Sequence, residues 1–193
     1  MAVNPCTGQV YVAEWYGDNL LTYDPNAHSW STVDIGNASL WDLVIDPTGS
    51  TLYVTDRSND QVHVFDVSGG ATPSATPEAS IAVGDDPWGI DITPDGATVV
   101  VACEDDASVH FIDTATAASV GSLALDDTAD PRDVDISADG TIAYIPNGAV
   151  TGDDGVYAVD ISLQTIAATI TLGPATQANA VAVKPQPVFC DVP

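Results

Sequence analysis

Basic residues are almost missing from this chain: Arg57, Arg132 and Lys184 stand against 28 acidic residues, which leaves a formal charge of −25 over 193 residues. Such a chain lacks the basic footprint that neutralises phosphates, and nucleic-acid binding is excluded on that ground. Glutamate is scarce too, with only Glu14, Glu78 and Glu104, so the acid is overwhelmingly aspartate. No run approaches the roughly 20 apolar residues of a membrane-spanning helix. The first residues also lack the basic and then apolar order of a signal peptide. Cys6, Cys103 and Cys190 form no CxxC pair and no dense array, which argues against structural zinc and against a disulfide-rich scaffold. No GxSxG, HExxH, P-loop or dinucleotide fingerprint occurs, and spacing alone therefore names no reaction. A 3.6-residue apolar rhythm is absent as well.

What the chain has is repetition. The segments VNPCTGQVYVA, VIDPTGSTLYVT, DITPDGATVVVA and DISADGTIAYI each read as strand, turn, strand, with turn glycines at Gly8, Gly49, Gly96 and Gly140. A third strand follows each hairpin and closes on Asp24, Asp66, Asp113 or Asp160, spaced 42, 47 and 47 residues apart. Fourth strands come next, as in WSTVDIG, ASIAVG, VGSLAL and AATITLG. Four short strands per unit of roughly 40 to 50 residues is the period of propeller blades. The expected fold is all-β: a β-propeller of about four four-stranded antiparallel blades, either a small closed ring or an arc of a larger one. The blades fall at about 2–36 with a C-terminal strand over 178–185, then 40–84, 88–125 and 131–173.

The phrase LYVTDRSNDQVHVFD, with Tyr53, Val54, Thr55 and Asp56, resembles the repeat named for its Tyr-Val-Thr-Asn signature, and PWGIDITPDGATVVVACEDDASVHFIDTAT is similar. That resemblance spans nearly the whole chain. It implies a propeller of the surface-layer or lactonase-like kind, extracellular or at the cell surface, with ligands held on the loop face around the axis. If the ring closes on itself rather than forming an arc, the C-terminal strand completes the first blade, which would bring Cys6 near Cys190 and leave Cys103 free.

Mapped onto that face, Trp41, Trp88, Arg132 and Asn179 occupy equivalent positions ahead of successive inner strands, and Trp15 and Arg57 lie on loops between second and third strands. The tryptophans either cover the core between blades or stack on a sugar or flat ligand. Arg57 and Arg132 either pair with neighbouring carboxylates or grip a ligand's. No cofactor is expected, although the pairs Asp85–Asp86, Asp105–Asp106, Asp126–Asp127 and Asp153–Asp154 offer oxygens of the kind calcium takes. Asp42, Asp91, Asp133 and Asp135 on the inner strands, with Asn179, are weak candidates for a divalent metal in the channel. His63 and His110 share one register in adjacent blades, the mark of repeat packing, and His28 stands alone near a fourth strand.

The function expected is therefore non-catalytic: a secreted or cell-surface propeller that binds a partner protein, glycan or small ligand, with self-association to complete a ring. The alternative is a lactonase- or lyase-like enzyme with a channel metal. Part of the acid is turn chemistry, and the rest suits a hydrated surface adapted to salt. Screening should then relieve repulsion, so the melting temperature is expected to rise from low salt to molar potassium chloride. A flat or falling melting temperature would contradict that adaptation.

Overall fold

The computed structural model describes residues 1–126, 128–148, 155–172 and 178–183. Within them lie four four-stranded antiparallel sheets, each a consecutive meander. The first holds β1 (Ala2–Val3), β2 (Val10–Glu14), β3 (Asn19–Asp24) and β4 (Ser29–Asp34). The second holds β5 (Leu40–Ile45), β6 (Thr51–Asp56), β7 (Gln61–Asp66) and β8 (Ala79–Ala82). The third holds β9 (Pro87–Ile92), β10 (Thr98–Cys103), β11 (Ser108–Asp113) and β12 (Ala118–Ala124). The fourth holds β13 (Asp135–Ile136), β14 (Ile142–Asn147), β15 (Gly155–Asp160) and β16 (Thr165–Thr171). Among the described residues the only helical turn is a 3-10 segment, Ser68–Gly70.

Period-2 alternation explains why both faces of a middle strand are apolar. In β6, Leu52 and Val54 enter the core shared with blade one, while Tyr53 enters the core shared with blade three. Three such cores lie between successive blades: one around Tyr11, Leu20 and Phe65, one around Tyr53, Val99 and Val101, and one around Phe111, Val134 and Ile145.

The turns follow from aspartate and glycine. Gly49, Gly96 and Gly140 adopt φ of 74°, 73° and 74°, a left-handed conformation that a side chain disfavours. Their N–H groups donate to the carbonyls of Asp46, Thr93 and Ser137, three residues earlier. Blade one departs from this pattern by one position. Gly8, also left-handed at 79°, donates to the Asn4 carbonyl four residues back. The aspartates that close the third strands cap the next turn: Asp24 accepts the N–H of Asn26, Asp66 that of Ser68, Asp113 that of Thr116 and Asp160 that of Leu163. The Ser68 and Thr116 hydroxyls, together with the N–H groups of the same residues, hold the Asp66 and Asp113 carboxyls below their ordinary range, and the Leu163 N–H and Ser162 hydroxyl do so for Asp160.

Cys103 is a free, buried thiol and Cys6 is disulfide-bonded. Asp127, Asp153, Asp154, Lys184 and Cys190, and with them the Cys6–Cys190 pairing, lie outside the described residues. Residues 178–183 carry no strand assignment. Instead the Val181 and Val183 N–H groups donate to Asp133 and Asp135, which sets this segment beside the inner strand of blade four.

Candidate functional site

The inner strands converge through a recurring contact in which a carboxylate on one blade accepts a backbone N–H from the next. Ile90 N–H donates to Asp42 at 3.4 Å, Ile136 N–H to Asp91 at 2.7 Å and Val181 N–H to Asp133 at 2.8 Å. Asp42, Asp91, Asp133 and Asp135 are thus staples between neighbouring inner strands. Among the described residues no three His, Cys, Asp or Glu side chains are placed to hold a metal ion together.

Burial shapes the titration of these carboxyls. Desolvation raises Asp42 and Asp133, and Asp133 is raised further by the negative charges of Asp42 and Asp135. Desolvation also pushes Asp91 up to about 7, against the hydrogen bonds from Ile92 and Ile136 and with added repulsion from Asp135. Asp91 therefore keeps its proton in the folded chain over a range where the unfolded chain, with an ordinary value of about 3.9, has lost it. Its contribution to stability is full below about pH 4 and is lost as pH rises through about 7. The melting temperature is expected to fall less between pH 4.5 and pH 8 in Asp91→Asn than in the wild type. Equal falls would show that Asp91 does not titrate in that window.

Above the staples the loop face carries a row of aromatic rings. Trp15 meets Trp41 edge-on at 5.2 Å, and Trp41 meets Trp88 at 4.3 Å between ring centroids. Thr55, buried on β6, fixes this row from below by accepting the Asp42 N–H and donating to the Trp88 carbonyl, both at 3.0 Å. The Arg57 guanidinium lies 3.8 Å from the Trp88 ring centroid and 5.2 Å from that of Trp41, and Arg132 lies 5.0 Å from Trp88.

Both arginines are also ion-paired. Arg57 makes a two-pronged contact with Asp86 at 2.7 and 2.6 Å, and Trp88 Nε1 donates to the same carboxylate at 2.9 Å. Burial would raise Asp86, but these donors hold it below its ordinary value. Arg132 spans Asp130 at 2.7 Å and Glu104 at 2.8 Å.

Trp41, Asp42, Trp88, Arg132, Asp133, Asn179 and Ala180 line a cleft of about 450 Å³. The four residues placed in equivalent positions by the repeat (Trp41, Trp88, Arg132 and Asn179) thus meet around one opening. Trp15, 45% exposed, extends the aromatic row, and Arg57 supports it, but neither lines the cleft itself. Asp42 and Asp133, expected only as metal candidates, are part of its wall. Asp85 and Asp105 are exposed turn residues, Asp126 accepts the Tyr157 hydroxyl at 2.9 Å, and exposed His28 meets the Tyr23 hydroxyl at 3.2 Å.

Successive meander sheets whose first strands gather at one side, with a loop-face cleft between those strands, define a β-propeller. A family model described as lactonase, 7-bladed beta-propeller, matches residues 22–120, just over half of the chain. The chain belongs to that lactonase β-propeller family. Among solved structures it is similar to Kuenenia stuttgartiensis hydrazine synthase, with a TM-score of 0.78 and 26% identity over 88% of this chain. The match takes in 47% of the other chain, so this chain spans about half its length. A search of curated proteins finds no significant match.

Proposed function

We propose that the chain is a propeller module whose loop-face cleft binds a sugar or glycan without acting on it chemically. The observation that carries this reading is the cleft itself, where two indoles stand beside two carboxyls and a carboxamide in about 450 Å³. That is within the size range of small-ligand sites. An indole packs against the apolar face of a sugar ring, while Asp42, Asp133 and Asn179 supply acceptors and a donor for hydroxyl groups. Arg57 and Arg132 are engaged by Asp86, Asp130 and Glu104, which disfavours an anionic ligand as the main occupant. Repeats of the Tyr-Val-Thr-Asn kind, placement outside the cell or on its surface, and a saline setting belong to the same reading, as does association with further blades.

Titrating the protein with soluble mono- and disaccharides while following tryptophan emission tests it. A saturable change is expected for at least one sugar, because Trp41 and Trp88 form the wall. A flat response across the panel would contradict the reading. A second reading is a lactonase- or lyase-like enzyme using a channel metal, of which only the lactonase part takes support from the family match. One tightly held divalent ion per chain after dialysis, with hydrolysis of a sugar lactone lost in Asp133→Asn, would support the enzyme instead.

A further inference from the structure

Away from the loop cleft, on the face of blade two that turns toward blade one, three side chains form a hydrogen-bonded series. Ser80 Oγ lies 2.9 Å from His63 Nδ1, and His63 Nε2 lies 3.0 Å from Asp56 Oδ2. Cross-strand register creates the arrangement, since His63 on β7 sits directly opposite Ser80 on β8. Asp56 closes β6 and is fully buried, His63 is 7% exposed, and Ser80 is open to solvent.

Asp56 is held by more than the histidine. The Ser39 and Ser58 N–H groups, the Ser58 hydroxyl and the Asn59 amide all donate to it, at 2.9, 3.1, 2.9 and 2.7 Å. Burial would raise its pKa, but these donors and His63 outweigh burial and keep it ionised. An ionised carboxylate can only accept, so Nε2 carries a proton, and a ring holding one proton has Nδ1 as the acceptor for the Ser80 hydroxyl. An exposed hydroxyl bonded to a basic ring nitrogen, with the ring oriented by a buried carboxylate, has the roles of a nucleophile, a base and an orienting group.

Blade three shows that repeat packing does not require the series. There His110 faces Ser122 in the same register, but Cys103 replaces the aspartate and His110 Nδ1 has no hydrogen-bond partner.

We propose that Ser80 is an acyl-accepting nucleophile activated by His63 and oriented through Asp56, acting on small, exposed carboxylic esters. Ser80 Oγ forms a bond to the ester carbonyl carbon while His63 Nδ1 takes the hydroxyl proton. The proton passes to the departing alkoxide as the carbon–oxygen bond breaks, which leaves acyl-Ser80 and an alcohol. Water then attacks the acyl group with the same proton transfers, freeing the carboxylic acid and Ser80.

Treating the full chain with a fluorophosphonate probe and mapping the adduct by peptide mass spectrometry tests the assignment. One adduct is expected, on Ser80 and not on Ser122, together with a stoichiometric nitrophenolate burst from p-nitrophenyl acetate. Ser80→Ala should abolish both with an unchanged melting temperature, because Ser80 is exposed. His63→Gln should slow labelling about 100-fold, the scale of a lost general base. The proposal is overturned if Ser80 carries no adduct, is labelled no faster than Ser122, or is labelled equally fast in His63→Gln. The comparison of Ser80 with Ser122 is made within the wild type, so that arm of the test does not depend on any variant folding. Sugar titration reads the loop cleft separately, so failure of either assignment is distinguishable.

Discussion

Alanine in place of Phe111 is expected to lower the free energy of unfolding by about 3–5 kcal/mol, the range for truncating a fully buried aromatic ring. Phe111 is 0% exposed and sits in the core between blades three and four, among Val109, Val134, Ile145 and Val159. Two costs add there: the lost transfer of the ring from water, and a cavity that rigid sheets on either side cannot close. At roughly 2–4 °C per kcal/mol for a chain of this size, the melting temperature should fall by about 10 °C. Each blade packs chiefly on its neighbours, so the loss should be local. Hydrogen exchange should quicken first in β14 and β15, and later in β6 and β7. Leu163→Ala, on a side chain 70% exposed, should change stability by less than about 0.5 kcal/mol. Similar losses at both positions would mean that the inter-blade cores do not govern stability.

A second large effect is expected from a single added methyl group. A Cβ on Gly89 would lie 2.5 Å from Asp133 Cα, 2.8 Å from Asp133 C and 2.9 Å from Val134 N. Those atoms are backbone of the segment that leads into β13, the next inner strand, so no side chain can rotate away. Gly89 has no left-handed φ, and the cost therefore comes from the close approach of two strands rather than from conformation. Overpacking of this kind costs about 1–3 kcal/mol, and more where backbone must move. Asp133 also lines the cleft, so Gly89→Ala should weaken sugar binding along with stability. Equilibrium denaturation and the emission titration read the two effects. Wild-type stability in Gly89→Ala would show that the inner strands of blades three and four do not pack this closely.

The repeat made the sheets legible because local chemistry repeats with it: Gly49, Gly96 and Gly140 mark the same turn, and Asp24, Asp66, Asp113 and Asp160 cap the next one. Gly8 reads from sequence as the equivalent of those three, but in the first turn the glycine stands one position later and bonds four residues back instead of three. Trp41, Trp88, Arg132 and Asn179 were found together for a related reason, since equivalent positions of successive blades project to one place on the axis. Their partners were not legible. Asp86 lies 29 residues from Arg57 and Glu104 lies 28 from Arg132, and no spacing rule joins them. The inner-strand aspartates were legible only as weak metal candidates, because carboxylates near an axis share that chemistry; that they accept N–H groups from the adjoining segment depends on strand packing that no spacing rule shows. The Asp56, His63 and Ser80 series depends on cross-strand register, which a sequence without an exact turn length does not specify.

The most direct measurement is an isothermal titration of wild type and Trp88→Ala with the sugar that binds best in the emission panel. Trp88 contacts Trp41, Arg57 and Arg132 and forms part of the cleft wall. Removing a central aromatic anchor typically costs more than about 1.4 kcal/mol, or tenfold in affinity. Binding at the cleft predicts a one-to-one isotherm in the wild type and at least a tenfold weaker Kd in Trp88→Ala, whereas an undiminished affinity in the variant would place the sugar elsewhere and contradict the assignment.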